Sequence, residues 1–156
     1  MRRLTIIGTS AVIAVAFVAL TVWTFAQARA HDYMMVGVIV AEENVALEVS
    51  DQPGAMDAIV VDEVLAPDDS WLVVHLDDDG MPGMRVGVAG VPEGVSRNVV
   101  IELEQDAMLT DEVIVVVHAD RGRRGEFEFA MDAFHRSPDK PYFVGFDEVS
   151  RRVSVR

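Results

Sequence analysis

His118 and Asp120 stand two residues apart in Val115-Val116-Val117-His118-Ala119-Asp120, so an extended backbone puts both side chains on one face. His75 lies near the end of a second apolar run, Trp71 to Leu76, on the face shared by Trp71 and Val73. Were the two runs neighbouring strands, His75, His118 and Asp120 could converge as a metal site, since two imidazoles and a carboxylate suit zinc or copper. The plainer expectation is that each histidine ends its strand and bonds a loop carbonyl or carboxylate.

Other residues suggest cation chemistry more weakly. The stretch HADRGRRGEFEF (118–129) begins like a calcium loop, which needs oxygen ligands at positions 1, 3, 5 and 12 and glycine at 6. Counted from Asp120, those ligand places hold Asp120, Gly122, Arg124 and Met131, with Gly125 at the glycine place. A guanidinium at a ligand position repels the cation, so the stretch reads as a turn permitted by Gly122 and Gly125, between strands at 113–119 and 126–131. The acidic turns Pro67-Asp68-Asp69 and Asp77-Asp78-Asp79-Gly80 could hold calcium if they met at one end of the molecule. A copper site is conceivable at a processed N-terminus, where His31 would add an α-amino nitrogen and Met34, Met35, Met81 and Met84 would offer thioethers.

Serine-hydrolase chemistry has no foothold, because no Gly-x-Ser-x-Gly occurs, while a glycosidase pair among the 26 acids stays open in the sequence. The absence of cysteine rules out disulfides and thiolate metal centres. All 26 acidic residues follow residue 30, as do 10 of the 13 basic ones, which gives that part a formal net charge of −16. Such a surface repels phosphate backbones, so no nucleic-acid partner is expected. The expectation is of no cofactor and no catalysis.

The elements that must position these residues begin after an N-terminal leader. Arg2-Arg3 precedes 25 uncharged residues, 4–28, and then Ala28-Arg29-Ala30. A positive start, an apolar stretch and small residues at a cleavage site make an export signal. The run is also long enough to cross a bilayer as a helix, so an uncleaved anchor competes with cleavage after Ala30. Either way the arginines favour the cytoplasmic side and send the remainder outside, with the membrane as partner through residues 4–28 if uncleaved. The organisation is therefore 1–30 signal peptide or signal-anchor, 31–44 junction, and 45–156 a single domain.

Within that domain Val45, Leu47 and Val49 alternate with polar or small residues, as do Val99, Ile101 and Leu103; Phe127, Phe129 and Met131; and Val153 and Val155. Period two marks antiparallel strands with one buried face. Residues 58–61, 71–76 and 113–117 are apolar on both faces, as central strands are. Turn residues recur between the runs, which predicts an immunoglobulin-like antiparallel β-sandwich of seven or eight strands, preceded by the N-terminal hydrophobic helix. Trp71 is expected to fill the space between the sheets. Pro141 is expected to fix the loop DKPYF (139–143), and the Tyr142 hydroxyl to tie it to a strand.

The ordered series DQPG (51–54), IVVDEVLAPDDSWLVVH (59–75), VGVAGVPEGVSRNVVIEL (86–103), VVVHAD (115–120), GEFEF (125–129) and DKPYF (139–143) resembles an uncharacterised domain family. That family is found on exported proteins of halophilic archaea and some bacteria. The resemblance implies an extracytoplasmic β-sandwich without an established activity; separately, an unknown protein or envelope partner is expected. Its members often carry acidic residues after the His-x-Asp pair, where this chain has Arg121, Arg123 and Arg124.

Overall fold

A computed structural model of the chain describes residues 40–41, 44–55, 57–104, 109–130 and 136–156. The apolar run 4–28, His31 and Met34 lie outside the described residues. Among those described, no helix is long and apolar enough to cross a membrane.

The strands are β1 (Val40–Ala41), β2 (Ala46–Glu48), β3 (Ala58–Ala66), β4 (Ser70–Asp78), β5 (Met81–Val91), β6 (Gly94–Glu102), β7 (Glu112–Ala119), β8 (Tyr142–Val144), β9 (Asp147–Glu148) and β10 (Ser150–Ser154). Two antiparallel sheets dominate, one of order β10-β7-β4-β5 and one of order β2-β3-β6. A small third sheet has order β1-β8-β9, with β1 parallel to β8.

Alternation along the strands decides what faces inward. Leu72 and Val74 of β4 and Val113, Val115 and Val117 of β7 meet Leu47, Ile59, Val61, Val64 and Ile101 of the other sheet in one cluster. Each such fully buried side chain contributes roughly 1.5–3 kcal/mol of transfer free energy. The doubly apolar runs of β4 and β7 are the two central strands of their sheet and are buried on both faces. In β3, also central, only one face is fully closed: Ile59 and Val61 are buried, Val60 is half-buried and Asp62 exposed.

Two connections show local sequence setting geometry. The β4–β5 hairpin turns on Asp79 and Gly80, with φ of 53° and 86°, and two positive values favour the turn whose twist matches the strands. The DQPG motif closes a gap between β3 and β10. The Gln52 side chain donates to Val60 O at 2.8 Å and accepts from Val60 N at 2.9 Å, while its own N–H donates to Ser154 O.

Three expectations need correction. Trp71 does not lie between the sheets: Leu72 and Val74 point there, so Trp71, of opposite parity, faces outward and pairs across the ladder with His118. Its indole lies on Gly90 of β5, where an added Cβ would come within 3.3 Å of the ring. Residues 126–130 join no ladder. Phe127 and Phe129 pack across the outer face, and the N–H groups of Glu128 and Ala130 bond side chains. Finally, the two acidic turns cannot share a cation, because they sit at opposite ends of the nine-residue β4, which spans roughly 30 Å.

Leu72→Ala is expected to cost about 3 kcal/mol, since it empties a fully buried site contacted from both sheets. Denaturant unfolding should show a lower midpoint with an unchanged slope.

Candidate functional site

The outer face of the β10-β7-β4-β5 sheet carries Trp71, Val73 and His75 from β4 and Ile114, Val116 and His118 from β7, all of them buried. Chain from the 120–141 region covers part of this face. The half-buried Phe127 meets Trp71 edge-on at 5.8 Å between ring centres and His118 at 5.4 Å; Phe129 meets His118 at 4.8 Å. Arg85 of β5 places its guanidinium 5.8 Å from the centre of the Phe127 ring.

Asp139 pins this cover. Its side chain is fully buried, and Oδ1 accepts from the backbone N–H of both Arg121 and Gly122 at 2.9 Å, while Oδ2 accepts from Glu128 N at 2.6 Å. Successive N–H groups converging on one oxygen make a concave anion site, here filled by the protein's own carboxylate. Ser137 Oγ accepts from Ala130 N at 3.0 Å and extends the attachment. Gly122 is required by close approach, since a Cβ there would collide with Glu128 and lie 2.9 Å from Pro138 Cγ. Gly125 is required by its φ of 79°.

The arginines of this loop have internal partners. Arg121 reaches Asp68 at 3.1 Å, Arg124 reaches Asp69 at 2.9 Å, and Arg123 reaches Glu126 at 3.0 Å and Glu128 at 3.1 Å. The Arg123 N–H and then its guanidinium hold the Glu128 carboxyl below its usual range. Asp68 and Asp69, candidates for calcium by sequence, thus face guanidinium groups.

The histidines do come together. Pairing of β4 with β7 brings their rings to 6.2 Å between centres with planes 23° apart. Each also bonds a loop carbonyl, as the plainer expectation had it: His75 Nδ1 donates to Gly83 O at 2.8 Å and His118 Nδ1 to Asp139 O at 2.9 Å. Burial is the main reason both titrate low, His118 at about 3, with the carbonyl bonds opposing it. The charge of Arg85 lowers His75 further, and His75 lowers His118.

Asp120 does not complete a trio. It lies past the end of β7, donates its N–H to Asp69 O and keeps Oδ1 buried without a partner. Among the described residues no three His, Asp or Glu side chains are grouped to hold a metal. Pro141 is buried and forms an isolated bridge with His118. Tyr142 is fully buried in the inter-sheet core. Met81 and Met84 are exposed on β5. Sequence reasoning missed Asp139 and the covering role of Phe127 and Phe129. The signal available was an aspartate in a Pro-flanked loop, together with two glycine-freed N–H groups lacking strand partners.

These features define an all-β domain of two antiparallel sheets, one of them overlaid on its outer face by a pinned loop. The chain belongs to the family described as a domain of unknown function, DUF7282, whose model matches residues 45–156. No curated protein and no solved structure matches it.

Two outcomes test the site. Asp139→Ala should cost on the order of 3 kcal/mol, because three backbone donors lose a buried acceptor. Hydrogen exchange should then speed up at Arg121, Gly122 and Glu128 while β7 stays protected. The pH dependence follows from the lowered histidines. Below about pH 6.5 the unfolded chain binds protons that the native rings refuse, so stability falls as pH drops and levels off below the folded value. His118 alone contributes on the order of 4 kcal/mol to this loss between neutral pH and pH 3. His118→Leu should flatten the stability profile in that window; an unchanged slope would show that His118 is not buried neutral.

Proposed function

We propose that the chain is an exported, immunoglobulin-like β-sandwich module that acts in binding, adhesion or envelope structure without catalysis. It is held at the outer face of the cytoplasmic membrane by residues 4–28 or released after Ala30. The strand connectivity supports the finer fold reading. The chain crosses between the two sheets after β3, after β5 and after β6, so that β3 pairs with β6 and β4 with β7. Sandwiches of the immunoglobulin and fibronectin kind are wound in that Greek-key manner.

One observation carries the non-catalytic reading: among the described residues, the groups most able to do chemistry are spent on holding segments 120–130 and 136–141. The Asp139 carboxylate accepts three backbone N–H groups, His118 donates to the Asp139 carbonyl, and Arg121, Arg123 and Arg124 pair with carboxylates. A catalytic acid or base needs an accessible atom near a substrate. For export, the positive start followed by the 25 uncharged residues is the support.

Cells expressing the chain with a C-terminal epitope test the placement. Protease added to intact spheroplasts should remove the epitope, and intact mass should show either the full chain in the membrane fraction or a released species starting at His31. A full-length chain in the cytosolic fraction, protected from protease, would end the proposal.

A further inference from the structure

The tip of the pinned loop sets two arginines beside an unmatched carboxylate. Residues 121–126 are exposed, and the turn 123–126 is closed by Glu126 N donating to Arg123 O at 2.9 Å. Arg124 leaves this tip with 88% of its side chain in solvent and an ion pair to Asp69 at 2.9 Å. An exposed pair of that kind contributes little, so the turn opens readily. Behind the tip, Asp120 Oδ1 is sealed from solvent and meets no donor among the described residues, while Oδ2 receives a long bond from Gly125 N, 3.5 Å. A carboxylate oxygen buried without a donor is costly.

We infer that the Arg124–Gly125 bond is a cleavage site for an arginine-specific endopeptidase, and that the α-ammonium group so formed on Gly125 docks on the Asp120 carboxylate. Water adds across the amide: Arg124 keeps the new carboxylate, and Gly125 keeps the new amine, which is protonated at neutral pH. An amide N–H that meets Oδ2 at long range becomes a cation with three donors, enough for Oδ2 and the buried Oδ1 together.

The surroundings select this bond over its neighbours. Arg85, Arg97, Arg151 and Arg152 lie within strands, where the ladder withholds the backbone from a protease. The residues after Arg121 and Arg136 are held, since Gly122 N bonds Asp139 and Ser137 is buried. Arg123 is bound to Glu128 by its N–H and its guanidinium, and to Glu126 as well. Lys140 is buried and precedes a proline. Both cut ends stay attached. Asp139 Oδ1 holds Arg121 and Gly122 on one side of the break, and Oδ2 holds Glu128 on the other. Beyond the break, β10 pairs along its five residues with β7, which precedes it. The site uses no residue of 1–39 and is independent of the export reading.

The test applies trypsin on ice to the native full chain in detergent, followed by intact mass. Within residues 40–156 the first cut should follow Arg124, giving a fragment that begins Gly125-Glu126-Phe127. The two pieces should elute together in size exclusion and part in guanidinium chloride. Arg124→Gln should abolish this first cut, and Arg123→Gln should keep it. In the cut protein the Gly125 amine, followed by its acylation rate against pH, should titrate above the ordinary α-amino value of about 8. Asp120→Asn should bring it down toward that value. A first cut at another residue of 40–156, or pieces that part without denaturant, overturns the site. An amine that titrates at the ordinary value in the wild type, or alike with and without the Asp120 carboxylate, overturns the docking.

Discussion

The outer layer of this molecule depends on one buried carboxylate. Asp139 has no exposed surface, and an ionised group in that position is tolerated only when its oxygens are fully engaged. Its three donors are backbone N–H groups of residues 121, 122 and 128, which belong to no strand. Each partner solves the other's problem: the loop's N–H groups would be unsatisfied without the carboxylate, and the carboxylate would be stranded without the loop. The same residue offers its carbonyl to His118 on the sheet beneath, so the loop's fold and its docking are set together.

That docking explains why the central sheet is apolar on both sides. A sheet in a two-layer sandwich ordinarily wets its outer face and reads as alternation. Here β4 and β7 bury Val73, Ile114 and Val116 outward as firmly as Leu72, Val74 and Val115 inward. Phe127 and Phe129 bring to this second layer the rings that cover Trp71 and His118. Both phenyl rings reach His118 on the sheet beneath. The hydrogen bonds go to Asp139 and Ser137 instead of to a neighbouring strand.

Much of this was legible in the sequence, for reasons particular residues make plain. The antiparallel sheets followed from Val99-Ile101-Leu103 and Val45-Leu47, whose alternation survives in the structure as buried and exposed positions. The closeness of His75 and His118 depended on strand order, which spacing along the chain does not encode. It appeared only as a condition, and pairing of β4 with β7 met it. The face of Trp71 is not legible in the sequence, because a run apolar on both sides carries no parity signal. Asp139 was hidden because its donors lie as many as 18 residues away in the chain, and a buried aspartate looks like any other in so acidic a sequence.

The acidity itself gives the three loop arginines their meaning. In a region of net charge −16, the turn Asp68-Asp69 and the pair Glu126 and Glu128 would repel one another near the covered face. Arg121, Arg123 and Arg124 sit among these four carboxylates and supply the positive charge that a bound cation would otherwise supply. Exposed pairs of this kind contribute little each, yet a covalently attached counter-charge cannot be lost by dilution or chelation. The loop that begins like a calcium site therefore works with the signs reversed: its backbone binds an anion and its side chains replace the cation.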